Sequence, residues 1–247
     1  MLSLLHTEPL RTFAADARIW QTVDNRSLIR SGEARLVGWS RQMLYSGFNN
    51  LHRSVFWSAD FNGRSDNLDV MPPSLMKWTI ANCDILDRPA DVLVLSGNPQ
   101  LNLSGGAGAA FRMRYGDEMQ EQMHQFLESS GKQFVEHGSV VQMPPCGSPY
   151  LAVLHAVGID VFCDSNIDVI TKTISRSLVI ASELSAKTVA LTAIATGYGK
   201  MSMADFAAGV QPVTTMEFKP IENVDICLMK SHAVTELASL IPGALVA

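Results

Sequence analysis

The feature that most constrains the fold is a strand-like run that breaks into a glycine-rich loop and resumes as a helix, from Asp91 to Phe111. Alternating valine and leucine at its start favour a buried strand. The turn residues Ser96 to Pro99 disfavour helix and strand, and the small residues from Ser104 to Ala110 permit close backbone approach before a helix begins. Because N–H groups at a helix N-terminus attract anions, this stretch predicts a phosphate site.

The glycine spacing fits neither of the two common phosphate motifs, GxxxxGK followed by Ser or Thr, and GxGxxG. Glycine also marks tight packing and bulges, so the stretch by itself leaves a ligand loop and a structural turn equally open. The sequence has neither the acidic cluster nor the P-loop lysine of a triphosphate and magnesium site.

Composition limits the classes of function. With 247 residues, 47% of them hydrophobic, the chain can form one large domain or a domain with an appendage. A net charge of −5 without a basic run argues against nucleic acid as the main partner. The N-terminus lacks the basic region of a signal peptide, and no apolar run approaches membrane-spanning length. We therefore expect a cytoplasmic protein with no membrane partner.

The four cysteines are far apart and show neither a CxxC pair nor a nearby histidine: Cys83, Cys146, Cys163 and Cys227. This spacing indicates neither a zinc site nor a redox pair. We interpret them as reduced core residues, and we expect neither a metal nor a cofactor.

The chain changes character near Pro72-Pro73, a stiff junction that separates an extension, residues 1–74, from a main domain, residues 75–247. The extension holds three of the four tryptophans, and its poor periodicity predicts one helix, around Ala34 to Leu44. It could form a lid, a partner-binding arm or extra packing on the main domain, and packing is the simplest interpretation because aromatic side chains usually become buried.

Strand and helix patterns alternate after the junction. The predicted strands lie at 76–80, 91–95, 139–142, 150–157, 188–194 and 224–229, and the predicted helices at the small-residue stretch, at 117–128, 166–184 and 203–210, and at the C-terminus. This alternation predicts a three-layer α/β/α sandwich with a mixed, mainly parallel central sheet. Two glycine-containing loops and Asp84 then follow strand ends, where α/β sheets bind ligands, and together they indicate a nucleotide-like ligand.

Four segments in order resemble motifs of the macro domain, the ADP-ribose-binding module. Residues 82–85 (NCDI) resemble its G-D-I element, and residues 95–101 (LSGNPQL) align without gaps on N-A-A-N-x-x-L, followed by its glycine run at 104–107. Residues 154–158 (LHAVG) resemble I-H-x-V-G, and residues 193–199 (AIATGYG) resemble P-A-I-x-T-G-x-x-G. The resemblance covers about two-thirds of the chain.

The resemblance implies a role for each matching residue. Asp84 and Ile85 would meet the adenine, Asn98 the distal ribose, and Tyr198 the terminal sugar. The two loops would hold the diphosphate through Ser104, Gly105, Gly106 and Ala107 on one side and Thr196, Gly197, Tyr198 and Gly199 on the other. Structural alternatives stay open: Asp84 could cap a turn, Asn98 could form a turn before Pro99, and Tyr198 could simply pack. His155, within an apolar run, is interpreted as a satisfied core histidine rather than a catalyst.

The sequence departs from the family pattern where catalysis is concerned. Leu95 replaces the first asparagine of N-A-A-N, and Gly108 stands where many ester-cleaving members have an aspartate. Lys172 and Lys200 are weak candidates for the lysine nucleophile of another branch. Glu118 and Glu121 fall too late for the paired glutamates of the poly-ADP-ribose-cleaving branch.

Two functions therefore remain. The chain could hydrolyse an ADP-ribosyl bond on a protein, a nucleic-acid end or an acetyl ester, with Asn98 as the catalytic residue that orients the ribose. Alternatively, it could bind ADP-ribose or ADP-ribosylated partners without turnover, as a reader or sensor. We favour hydrolysis; the linkage and the oligomeric state do not follow from the sequence.

Overall fold

The computed structural model describes residues 76–247. The predicted helix at Ala34 to Leu44, the proline junction and the tryptophan-rich extension lie outside the described residues, so the proposed division of the chain at residues 74 and 75 stays a prediction.

The described residues form one seven-stranded sheet. Its strands are β1 (Lys77–Asn82), β2 (Val92–Gly97), β3 (Val140–Met143), β4 (Ala152–Val157), β5 (Thr188–Thr192), β6 (Asn223–Leu228) and β7 (Leu245–Val246). Their order across the sheet is β3-β4-β2-β5-β6-β1-β7. Every neighbouring pair is parallel except β3 with β4, which is antiparallel. The predicted mixed, mainly parallel sheet is confirmed.

Five α-helices cover the two faces of the sheet, as the three-layer prediction requires. They are α1 (Gly106–Tyr115), α2 (Glu118–Ser129), α3 (Ile167–Glu183), α4 (Met203–Thr214) and α5 (Ser231–Leu240). Phe111, Met119 and Met123 bring α1 and α2 into one buried apolar cluster, and the other cluster collects the apolar faces of α3, α4 and α5. The central strands are buried on both faces, so they appear in the sequence as nearly continuous apolar runs.

Local signals explain the helix boundaries. Asn166 caps α3 by accepting a hydrogen bond from the Val169 N–H at 3.0 Å, and Ser202 and Asp205 form a reciprocal capping box at the start of α4. Helix α4 continues through Pro212, beyond the predicted end at residue 210, although proline at this position cannot donate the backbone hydrogen bond of a helical residue.

Two short elements escaped sequence prediction: the edge strand β7 and a single-turn 3-10 helix, Ile85–Asp87. Both are too short to show a periodicity. The 3-10 helix matters for the site because it directly follows β1. None of the helices within residues 76–247 has the length and apolarity needed to cross a membrane.

Candidate functional site

A cleft lies at the carboxyl ends of β1, β2, β5 and β6, the edge where parallel α/β sheets place their ligands. Its volume is about 660 Å³, within the usual range for a small-molecule site. Four of the segments that line it contain residues that the sequence motifs predicted, and Ile159 and residues 227–229 complete the lining.

The first segment carries Asp84 and Ile85 after β1. Asp84 accepts a hydrogen bond from the Leu86 N–H at 2.9 Å and so caps the 3-10 helix, as the structural alternative predicted. Its second carboxylate oxygen lies 3.6 Å from the Arg114 guanidinium. Because a carboxylate has two oxygens with several lone pairs, the capping bond leaves room for a ligand donor.

Two contacts hold this segment in place, a buried one from Tyr150 and an exposed one from Arg114. The Tyr150 hydroxyl lies 3.3 Å from the Leu86 carbonyl oxygen, and burial raises the pKa of Tyr150 to about 12. Arg114 of α1 donates to Asp87 at 2.7 Å, and this bond raises the pKa of the arginine further. The position of Asp84 is therefore fixed by β1, by α1 and by the core.

The second segment is the turn after β2, and its shape depends on Asn98. The Asn98 side chain donates to the Asn102 carbonyl oxygen at 2.7 Å and accepts from the Asn102 N–H at 3.1 Å. The turn-forming role of Asn98 is thus observed, and one N–H and one lone pair of its amide remain for other partners. Both asparagines line the cleft.

Helix α2 supports this turn from outside. Gln120 accepts from the Leu103 N–H at 2.6 Å and donates to the Leu101 carbonyl oxygen at 3.0 Å. His124 Nε2 lies 2.8 Å from Gln120 Nε2 and 3.0 Å from Asn102 Oδ1. These contacts connect α2 to the turn at the edge of the cleft, which lies about twenty residues earlier in the sequence.

The third segment is the glycine-rich loop at the N-terminus of α1. Ser104, Gly105, Gly106 and Ala107 all line the cleft. Gly105 stands at the N-cap, where no side chain bonds the first turn. The N–H groups of residues 106–108 have no acceptor among the described residues, so they remain available to an anion.

The fourth segment, Thr196 to Gly199, follows β5 on the opposite side of the cleft. The N–H groups of residues 197–199 likewise lack an acceptor within residues 76–247. Tyr198 is 71% exposed. Its ring lies close to the glycine-rich loop at the N-terminus of α1. A Cβ atom added to Gly105 would lie 2.6 Å from the Tyr198 hydroxyl oxygen, so glycine at 105 makes this approach possible.

Gly199 permits a second close approach, this time within the core. It is buried, and an added Cβ would lie 2.5 Å from both the Ala195 carbonyl oxygen and the Ile159 side chain. No such restriction applies to Gly197, which has no atom within 4 Å of that position. Gly199 therefore fixes the loop, whereas Gly197 contributes only its backbone.

The structure brings all eleven predicted ligand residues to one cleft: Asp84, Ile85, Asn98, Ser104, Gly105, Gly106, Ala107, Thr196, Gly197, Tyr198 and Gly199. The roles assigned to them by resemblance stay predictions. Asn102, Ile159 and Met229 also line the cleft, and the sequence analysis did not predict them. Each lies within a few residues of a strand end or a motif, so a search of all residues that follow the predicted strands could have included it.

The positions of the catalytic departures are also clear. Leu95 is completely buried in the cluster beneath α1 and α2 and does not line the cleft. Gly108 lines it, but an added Cβ would lie 3.1 Å from the Leu103 side chain. Lys172 and Lys200 do not line the cleft, and Lys200 pairs with Asp164 at 3.3 Å.

His155 is a core residue, as predicted, and does not line the cleft. The prediction of a satisfied histidine was wrong for one atom, because its Nε2 has no hydrogen-bond partner in the described structure. Burial lowers the pKa of His155 to about 4, so the ring stays neutral at physiological pH.

The electrostatics of the cleft are simple. Among the described residues that line it, Asp84 is the one carboxylate, and lysine and arginine do not occur. An anion there would depend on backbone N–H groups. Cys83 and Cys227 line the cleft together with Asp84, and burial, together with the neighbouring Cys83 thiol, raises the pKa of Cys227. All four cysteines are free, and two of them, Cys146 and Cys227, are buried.

Comparisons with known proteins agree with this geometry. Residues 94–209, which include the second, third and fourth segments of the cleft, match the family model described as the macro domain. The chain contains a macro domain. The family resemblance seen in the motifs is confirmed.

The similar sequences are distant. An uncharacterized protein of Mycobacterium bovis is 26% identical over 179 residues, which are 72% of this chain and 45% of that protein. The chain thus spans less than half the length of this relative. A macro domain-containing protein of Streptomyces griseus is 27% identical over 161 residues, covering 64% of this chain and 90% of the relative.

Solved structures share the fold of this macro domain. A mutant macrodomain of Oceanobacillus iheyensis with ADPR superposes with a TM-score of 0.59 at 16% identity, covering 65% of this chain and 89% of that one. A Trypanosoma brucei macrodomain in complex with ADP-ribose gives a TM-score of 0.56 at 14% identity, covering 66% and 68%. At these identities the likeness establishes the fold.

Proposed function

We propose that this macro domain binds ADP-ribose in the cleft and hydrolyses an ADP-ribosyl linkage. The observation that supports this proposal best is the convergence of four segments, separate in sequence, on one cleft with two loops of unbonded N–H groups. A diphosphate fits such a pair of loops, because it offers acceptors to both and needs no metal when enough donors surround it. The two similar structures described above hold ADPR and ADP-ribose.

The lining residues at the two ends of the cleft suit different parts of the ligand. Asp84 is an acceptor at the end near β1 and suits the amino group of adenine, while Ile85 offers an apolar surface beside it. Asn98 and Asn102 offer amide groups at the other end, near β2, and suit the hydroxyl groups of the distal ribose. The Tyr198 ring lies against the glycine-rich loop, where it would cover the sugar and exclude water.

Hydrolysis in this cleft would use water held against the diphosphate. Water attacks the linkage at the distal ribose, the bond to the partner breaks, and the leaving group takes a proton, so that ADP-ribose and the unmodified partner are released. The remaining N–H and lone pair of Asn98 would orient the ribose for this attack. The substrate would be an ADP-ribosylated protein, a modified nucleic-acid end or an acetyl ester.

Binding without turnover is the second candidate function, and Gly108 favours it. Among the described lining residues, no carboxylate lies near Asn98, and the one carboxylate of the cleft, Asp84, serves the opposite end. A reader needs the two loops and the adenine contact but no base.

Calorimetric titration with ADP-ribose, with AMP and NAD as controls, tests the binding. Selective binding of ADP-ribose is expected, and its absence in a folded protein overturns the proposal. Single-turnover assays on an ADP-ribosylated protein, a modified DNA end and O-acetyl-ADP-ribose then separate the two functions. Release of ADP-ribose at rates above the uncatalysed reaction supports hydrolysis, whereas tight binding with no release from any of them supports the reader.

A further inference from the structure

A second cavity adjoins the cleft and is not used by the proposed function. Its volume is about 500 Å³, and it lies between the N-terminal ends of α4 and α5. Thr196, Leu228 and Met229 line both the cleft and this cavity. Met229 is 73% exposed whereas Leu228 is buried, so the flexible part of the wall between the two spaces is the Met229 side chain.

The shared wall lies beside one particular part of the proposed ligand. Thr196 follows β5 and Met229 follows β6, and these two strands lie between β2, which precedes the glycine-rich loop, and β1, which precedes Asp84. In the proposed pose, the ribose that joins the adenine to the diphosphate therefore lies beside the wall that the cleft shares with the second cavity. A substituent on the hydroxyl groups of this ribose would enter this cavity while the rest of the ligand stayed in the cleft.

The charge of the second cavity differs from that of the cleft. Lys230 and His232 line it, whereas lysine and arginine are absent from the described lining of the cleft. Neither Lys230 nor His232 forms an ion pair within residues 76–247, so both side chains are available to an anion. Glu236 is the one carboxylate of this lining and should weaken anion binding there.

From these observations we infer that the second cavity is a subsite for a phosphate attached to the adenine-side ribose of the ligand. This inference rests on the proposed ADP-ribose site and adds a substrate class to it. Two ligands place phosphate on this side of the ribose: ADP-ribose with a phosphate on its 2′-hydroxyl, and an ADP-ribose chain, in which the ribose of the next unit is bonded to that hydroxyl and carries its diphosphate one sugar further away. The volume of the cavity accommodates either kind of group.

The experiment compares the affinities of ADP-ribose, ADP-ribose 2′-phosphate and an ADP-ribose dimer by calorimetry, in the wild-type chain and in Lys230→Met. We expect at least one phosphorylated ligand to bind about tenfold more tightly than ADP-ribose, and Lys230→Met to remove that advantage while leaving the affinity for ADP-ribose unchanged. Glu236→Gln should increase the advantage. Lys132→Met, which removes an exposed lysine away from both cavities, is the matched control and should have no effect.

The outcomes separate the inference from the proposal beneath it. If ADP-ribose binds and neither phosphorylated ligand binds more tightly, the subsite is wrong and the cleft assignment stands. A preference that survives Lys230→Met also overturns the subsite. If none of the three ligands binds, the proposed function fails and the subsite fails with it. The ligand that gains affinity identifies the source of the phosphate, and raising the salt concentration should reduce that gain.

Discussion

The adenine assignment can be tested by exchanging the acceptor at Asp84 for a donor. In Asp84→Asn, the amide oxygen can keep the capping bond from the Leu86 N–H, now 2.9 Å long, because the side chain keeps its shape. The second position, which in the wild type is a carboxylate oxygen 3.6 Å from the Arg114 guanidinium, becomes an NH₂ group. A donor would then face the amino group of adenine, which is also a donor.

The expected change in affinity follows from the loss of one hydrogen bond to a charged acceptor, about 2 kcal/mol. This corresponds to a dissociation constant for ADP-ribose about 30-fold higher. The same substitution should favour inosine diphosphate ribose, whose hypoxanthine presents a carbonyl oxygen in place of the amine. The wild-type chain should prefer ADP-ribose, and Asp84→Asn should reverse or abolish that preference.

Calorimetry with both ligands on both proteins measures the exchange, and thermal unfolding serves as the control for folding. Because the capping bond is kept, the melting temperature of Asp84→Asn should stay close to that of the wild type, while Asp84→Ala loses the cap as well. Equal loss of both ligands in Asp84→Asn, or no loss of either in a folded protein, would show that Asp84 does not contact the base.

Three further substitutions test other parts of the structure. Gly199→Ala should lower the free energy of unfolding by about 1–3 kcal/mol, since its Cβ would lie 2.5 Å from a backbone oxygen, and Gly197→Ala in the same loop should not; chemical denaturation measures both, and equal stabilities would contradict the packing. Asn98→Ala should reduce turnover far more than ADP-ribose affinity if Asn98 orients the reacting ribose, whereas equal losses in single-turnover and binding assays would limit it to holding ligand. His155, with a pKa of about 4 when folded against an ordinary value of 6.5, contributes stability that is complete above pH 6.5 and is lost as the pH falls towards 4, by up to about 3 kcal/mol. His155→Leu should flatten stability between pH 6.5 and 4.5, and an unchanged slope would refute this account.

The fold could be predicted because its signals are local. The strands are short apolar runs that end in turns, and α3 carries its apolar residues at three- and four-residue intervals behind a capping asparagine. The convergence of the glycine loops followed from one general rule, that parallel strands place their ends at the same edge of the sheet. Sequence reasoning also identified the two loops themselves, because glycine-rich stretches directly after two separate strands are difficult to explain by turn formation alone.

The contacts that shape the site could not be predicted, because they join residues distant in sequence. The sequence marks Asn98 as a turn former but does not show that Gln120 and His124 of α2 hold the same turn. The approach of Tyr198 to Gly105 depends on the relative placement of two loops about ninety residues apart. Side-chain periodicity describes which face of an element is buried, not which side chains meet across a cleft.

The two departures from the family pattern, at Leu95 and Gly108, have a common structural explanation. Leu95 packs into the core beneath the cleft, and Gly108 leaves just enough room for the Leu103 side chain, so both positions favour apolar packing over a polar contact. The polar groups at this end of the cleft are instead the amides of Asn98 and Asn102, which α2 holds in place. An amide orients a substrate without accepting its proton, since it does not titrate near neutral pH. Any hydrolysis in this macro domain must therefore depend on the positioning of water and ribose rather than on a side-chain base among the described residues beside Asn98.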